Sequence, residues 1–232
     1  KGMGYVERQI GGWCKRFAAA KTDDVPDFEK IMGWLNDNIK PQAKVTLIHN
    51  DYRMDNVVLS PQDPTEVIGV LDWEMATVGD PLMDLGCTLG YWVQTSDPDF
   101  FRESRTMPSD IDGAPTRSEI IQRFQEKTGL SVENFPFYFC FGLFRLCVIG
   151  QQIYYRYHHR QTDNPAFKNF WLMVHYLIIQ IISDAHGSRT HVTETAELKL
   201  PIMLCLIPNC THCNPFNRSV VPLIIQESNR KI

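Results

Sequence analysis

The chain has no excess of charge of either sign: 23 Lys and Arg against 27 Asp and Glu in 232 residues leave a net charge of -4. That balance gives no electrostatic reason to expect nucleic acid or an acidic membrane as a partner. Long apolar runs are missing too. The most apolar segments, 135–153 and 167–182, are interrupted by Arg145 in the first and by Lys168, His175 and Gln180 in the second. Neither supplies the ~18 or more uninterrupted apolar residues of a membrane span, so both are expected to be buried helices. The seven cysteines are odd in number, and Cys87, Cys140 and Cys147 lie inside apolar stretches rather than in a regular framework. Reduced, buried thiols in an intracellular protein are the expectation, not a disulfide scaffold. No Gly-rich phosphate loop is present: Lys1-Gly2-Met3-Gly4 lacks a third glycine at the required spacing, follows no strand and runs into a helix. No flavin or dinucleotide fingerprint appears either. The first residue is not Met, so the start is expected to be internal to a longer product, where no targeting peptide is visible.

What the chain does have is concentrated in two short segments. His49-Asn50-Asp51-Tyr52-Arg53-Met54-Asp55-Asn56 reads His-x-Asp with an Asn five residues beyond the Asp, and Ile68-Gly69-Val70-Leu71-Asp72-Trp73-Glu74 places another Asp at the end of an apolar run. Phosphoryl transfer asks a protein for positioning and charge neutralisation more than for covalent chemistry. A carboxylate must stand beside the attacking hydroxyl, and Asp51 is the candidate base. Mg²⁺ prefers hard oxygen ligands, which the Asn56 amide and the Asp72 carboxylate offer. Residues 45–48, 56–59 and 67–71 read as strands, the last two joined by the turn-rich Ser60-Pro61-Gln62-Asp63-Pro64. Antiparallel pairing of that hairpin would bring Asn56 and Asp72 to the same end.

The rest of the chain predicts helices. Val6, Ile10, Trp13 and Phe17 recur at helical spacing between Tyr5 and Ala20. Asp27 is expected to cap a second helix through Ile39, with Phe28, Ile31, Met32, Trp34 and Leu35 on its inner face. A buried helix is expected over 81–94, with Asp84 reaching back toward the Asp51 loop, then a surface loop over 98–115. Thr116 opens a helix ending near Gly129. Two long helices follow, over 132–160 with kinks expected near Gly142 and Gly150, and over 165–185. Within the first, Tyr154-Tyr155-Arg156-Tyr157-His158-His159-Arg160 reads either as a cleft lining or as a helix end with snorkelling basic residues.

At the His-x-Asp and Asp72 segments, and through Gly79-Asp80-Pro81-Leu82-Met83-Asp84-Leu85-Gly86, the chain resembles the aminoglycoside phosphotransferase and choline kinase-like family. The runs Tyr5-Val6-Glu7-Arg8-Gln9 to Trp13 and Asp72-Trp73-Glu74-Met75-Ala76 are similar to the kinase-like domain of acyl-CoA dehydrogenase family members ten and eleven. The resemblance covers residues 1–189. It implies an α+β, mostly helical fold: the large, C-terminal lobe of a protein-kinase-like fold with a small β-hairpin, the nucleotide-binding N-lobe being absent from these residues. It also implies Asp51 as catalytic base, His49 as a residue bracing the loop, Asn56 and Asp72 as ligands of the Mg²⁺ that accompanies ATP, and Glu74 as a further acid at the metal. Asn50 replaces the usual Arg of the protein-kinase loop, Trp73-Glu74 stands where Phe-Gly follows the metal-binding Asp, and no Ala-Pro-Glu signature appears downstream. The implied acceptor is therefore a small-molecule hydroxyl, with a hydroxy acid or hydroxyacyl-CoA of fatty-acid catabolism suggested by the dehydrogenase-linked branch. A mitochondrial or peroxisomal location, and an N-lobe and dehydrogenase domain in a longer product, follow from the same resemblance. The alternative is a catalytically inactive isoform retaining only the large lobe.

From about residue 190 the sequence changes character, and 190–232 reads as a divergent tail, an alternative carboxyl terminus. Cys205, Cys210, His212 and Cys213 invite zinc but lack a matching second pair. Asn209-Cys210-Thr211 and Asn217-Arg218-Ser219 match glycosylation sequons, which carry little meaning in an intracellular chain.

Overall fold

The computed structural model describes residues 2–42 and 44–185. The boundary expected at residue 189, the tail over 190–232 and its cysteine and sequon motifs all lie outside the described residues. Helix α1 (Tyr5–Ala20) buries Val6, Ile10, Trp13 and Phe17, the residues its periodicity singles out. Helix α2 (Glu29–Asp37) starts one residue later and ends two residues earlier than the sequence suggests. Asp27 still accepts a hydrogen bond from the Glu29 N–H at 3.2 Å, but Phe28 turns into the core, 1 % exposed, before the helix begins.

The strands form two antiparallel pairs, not one. In the expected hairpin, β2 (Val57–Leu59) pairs with β3 (Val67–Val70), Val57 opposite Val70, with an irregularity between Val58 and Leu59. The second pair joins β1 (Thr46–Ile48) to β4 (Thr77–Gly79), a strand the sequence did not announce. Gly79 has no room for a side chain, since a Cβ there would lie 2.7 Å from Ile48 and 2.9 Å from the Tyr5 ring. Helix α3 (Pro81–Gly90) is capped by buried Asp80, which accepts from the Leu82 N–H at 2.8 Å, with Pro81 in the first turn. It stops at Gly90, short of the expected residue 94, because the chain then turns and the Val93 N–H donates to the Ser109 hydroxyl at 3.1 Å.

The segment expected as a surface loop is better anchored than that. It contains a short helix, α4 (Asp99–Glu103), it buries Met107 and Ser109, and Phe100 stacks on Tyr176 with ring centroids 4.0 Å apart. Helix α5 (Arg117–Thr128) opens on a reciprocal capping box between Thr116 and Glu119 and closes on left-handed Gly129.

The centre of the core is α6 (Phe135–His158), a continuous helix of 24 residues packed on α1, α3 and α7 (Phe170–Ala185). Its glycines serve contact with neighbours. A Cβ on Gly142 would stand 2.0 Å from the Gly86 carbonyl oxygen, and one on Gly150 would stand 2.3 Å from Met173. Among the described residues α6 alone is long and apolar enough to cross a membrane, and 72 % of its most apolar window is buried inside the fold. The core positions it occupies account for that composition. Cys87, Cys140 and Cys147 are buried as expected, and burial pushes the Cys87 and Cys147 thiols up.

Candidate functional site

The segment from His49 to Asn56 leaves β1 and turns back into β2, and the backbone N–H groups of His49, Asn50 and Asp51 are all held. Asp84, the fourth residue of α3, accepts the His49 N–H and the Asn50 N–H, each at 2.8 Å. Burial pushes the Asp84 carboxyl up, and these two donors pull it back toward its ionised form. Asn50 is left-handed, with φ 67°, a conformation that asparagine tolerates better than most residues. Its side chain accepts from the Tyr5 hydroxyl at 2.7 Å and donates to the Met75 carbonyl at 3.0 Å. Its own carbonyl accepts from the Arg145 guanidinium at 2.7 Å. Burial raises the Tyr5 hydroxyl above the ordinary tyrosine range, so it stays a donor.

Buried His49 links this turn to the hairpin. Its Nδ1 accepts the Asp51 N–H at 3.2 Å, which leaves Nε2 carrying the proton that reaches the Leu71 carbonyl at 2.8 Å. The Trp73 ring meets the imidazole edge-on at 4.8 Å. Asn56, 8 % exposed, donates from its amide nitrogen to the Asp51 carbonyl at 2.8 Å and to the Asp51 carboxylate at 3.3 Å. Its backbone carbonyl accepts from the Leu71 N–H at 2.8 Å, so the strand pairing brings Asn56 beside the residue that precedes Asp72. Asp72 is left-handed at φ 62° and exposed, and Glu74 is exposed in the short turn Trp73–Met75 that follows. Neither carboxylate has an ion-pair partner among the described residues. With its nitrogen committed to Asp51, Asn56 keeps its amide oxygen for another partner. An amide oxygen and carboxylates that are not ion-paired make a hard-oxygen donor set of the kind that suits Mg²⁺.

A cleft of about 490 Å³ begins at the residues that follow Asp51, lined by Tyr52, Arg53, Val57, Leu59, Trp92 and Met107 among others. Arg53 is its one charged wall. The Arg53 guanidinium lies 3.4 Å from the Asp51 carboxylate and 2.9 Å from that of Asp55, stacked over the Tyr91 ring at 4.8 Å. Met107 closes the inner side, where its sulfur takes the Met54 N–H at 3.4 Å.

A match to the phosphotransferase enzyme family runs over residues 1–116, half of the chain. The chain belongs to that family. A solved structure of a candidate aminoglycoside phosphotransferase from Ralstonia eutropha JMP134 superposes on this phosphotransferase chain with a TM-score of 0.68 at 26 % identity, covering 81 % of this chain and 57 % of that one. Acyl-CoA dehydrogenase family member 10 of Mus musculus is 35 % identical over 154 residues, covering 66 % of this chain and 14 % of the relative. Acyl-CoA dehydrogenase family member 11 of Homo sapiens is 34 % identical over 175 residues, 72 % of this chain and 22 % of the relative. The chain thus spans a fifth or less of the length of one curated relative and little more than a fifth of the other. It is a phosphotransferase-like domain with the kinase-like fold, related to a region of those longer proteins.

Three participants in this site escaped the sequence reading. Arg145 sits 95 positions beyond Asn50 and read only as a break in an apolar helix. Asn50 read as a departure from a kinase pattern, and nothing local signalled that all four of its polar groups would be used. Arg53 carries no motif, although its place between Asp51 and Asp55 hinted at ion pairing. In the other direction, the aromatic-basic stretch 154–160 does not line the cleft beside Asp51. Buried Tyr154 donates to Asp24, and His158 stands 3.6 Å from Asp23, so this end of α6 grips the connection between α1 and α2.

Proposed function

We propose that this domain performs the acceptor side of ATP-dependent phosphoryl transfer to a small-molecule hydroxyl. One observation carries the reading: the hydrogen-bonded chain from the Asp51 carboxylate through Asn56 to the Leu71 strand end that precedes Asp72, with a largely apolar cleft beginning at the neighbouring Tyr52, Arg53 and Val57. Asp51 would orient the hydroxyl and take its proton. Asn56 and Asp72, with Glu74 beside them, would hold Mg²⁺, which neutralises phosphate charge when bound. His49 keeps the two halves in register. The cleft favours an acceptor with an apolar body, and Arg53 on its wall suits a carboxylate or thioester carbonyl better than the polycation of an aminoglycoside. A hydroxy acid or hydroxyacyl-CoA meets both conditions, and the names of the curated relatives agree with that class.

A second reading, that these 232 residues alone transfer no phosphate, is favoured by the sequence itself, where Lys1-Gly2-Met3-Gly4 falls short of a Gly-rich phosphate loop. One assay addresses both. Mg-ATP consumption is measured with hydroxy acids, hydroxyacyl-CoA thioesters and aminoglycosides, for this chain and for a version extended as its relatives are. Asp51→Asn should lower turnover by about 10²–10⁴-fold, the usual contribution of a general base. Asp72→Ala should cost at least as much. Turnover unchanged in Asp51→Asn would overturn the role given to Asp51, and robust turnover by the present chain would remove the second reading.

A further inference from the structure

Arg145 is 7 % exposed in the middle of an otherwise apolar helix, and removing a guanidinium from water carries a penalty that a leucine or methionine at that place would not. Its contacts show where the charge is used. One Nη donates to the Asn50 carbonyl at 2.7 Å, the other faces the Met75 sulfur at 3.9 Å, and the group lies over the Trp13 ring at 5.3 Å. Nε is buried without a hydrogen-bond partner among the described residues. The buried Cys87 thiol of α3 also lies against the guanidinium, so the side chain ties Asn50 to α3 as well as to α6 while one of its own donors stays unsatisfied.

That carbonyl belongs to the peptide joining Asn50 to Asp51. The N–H of the same peptide is taken by His49, while the two preceding N–H groups go to Asp84. Rotation of this peptide plane would swing the Asp51 side chain, and Asn50 already occupies a left-handed conformation that most side chains avoid. We propose that Arg145 is a positioning residue which, through the Asn50 carbonyl and its contact with Met75, fixes the direction of Asp51 relative to the segment after Asp72. The inference rests on the reading of Asp51 given above. It adds a residue from a distant helix, acting through Asn50.

The test uses the full 232-residue chain and hydrogen exchange, which needs no turnover. In Arg145→Met, peptides covering 49–52 and 73–76 should exchange about ten- to a hundred-fold faster, the scale of one charge-assisted hydrogen bond. Peptides of α5 and α7 should stay within about threefold of the parent. Arg145→Lys should show the same local pattern at smaller amplitude, because an ammonium can reach one acceptor but cannot span two, and it carries the test alone where Arg145→Met fails to fold. No change over 49–52, or a rise shared equally by all helices, overturns the proposal in either variant. In an active extended form, Arg145→Lys should lower kcat about tenfold with the acceptor KM within about threefold, and a loss carried by KM alone also overturns it. Unchanged turnover in Asp51→Asn would reject the base reading while leaving the exchange result to stand, so the two failures are distinguishable.

Discussion

Phe28, Phe141 and Phe144 are at most 1 % exposed among the helices, whereas Leu47, Ile68 and Leu71 on or beside the strands are each more than half exposed. The helices close upon one another and bury a continuous aromatic and aliphatic core. The two strand pairs bury little of their own, and two-stranded ladders are marginal in isolation. The candidate chemistry sits on the less stable side, braced by single side chains sent from the stable one: Asp84 from α3, Arg145 from α6 and Tyr5 from α1. Sites that must admit ligands are commonly drawn from the low-stability part of a fold.

The sharpest way to break the contrast is on the helical side. Gly142→Ala puts a methyl against the Gly86 backbone, which has no flexible atoms to yield, so we expect a loss of about 3 kcal/mol or more, read by denaturant unfolding. Alkaline pH should act next. Burial raises the Cys87 and Cys147 thiols above their ordinary 9.0, Tyr138 from 10.0 to about 12, and the Tyr5 and Tyr154 hydroxyls as well. Groups with raised folded values lose their protons first in the unfolded chain. Their stabilising contribution is therefore full below about pH 9 and is lost as the pH climbs toward 12 and beyond. Denaturant midpoints measured across that range should fall steadily, and a flat profile would contradict the burial of these groups.

Asp84→Asn should cost about 1–3 kcal/mol, since a neutral amide replaces the carboxylate that accepts two buried N–H groups. The loss should appear first as faster exchange at His49 and Asn50, sharpening the claim that the loop is braced from the helices. The smallest effect belongs to the exposed face. Ile68→Ser should change stability by no more than about 0.5 kcal/mol, while reducing binding of an apolar dye. A large loss there would mean that the strand face is packed after all.

The parts of the fold legible in advance were those with local signatures. The α1 stripe, the Thr116 capping box, Gly129 and the β2–β3 hairpin are all written in neighbouring residues. So was the convergence of Asn56 on the strand end, because hairpin register follows from turn and alternation. The missed parts depend on distant partners. Strand β4 exists only because β1, thirty residues earlier, offers an edge. The end of α3 at Gly90 depends on Ser109, and the close contacts that Gly142 makes with Gly86 and Gly150 with Met173 depend on partners that the local sequence does not name. Arg145 belongs to the same class. A cation inside an apolar helix announces a partner without saying which one.

The contact between Gly86 and Gly142 has a consequence for tolerance. Asp84 lies two residues from the first glycine and Arg145 three residues from the second. The carboxylate and the guanidinium that hold the loop are thus mounted on two rods touching backbone to backbone, near both mountings. Such a joint works like a gauge block, with no side chain in it whose rotamer could take up slack. The gap in which the loop is seated cannot drift by small steps, and widening it by one methyl group would displace both mountings at once.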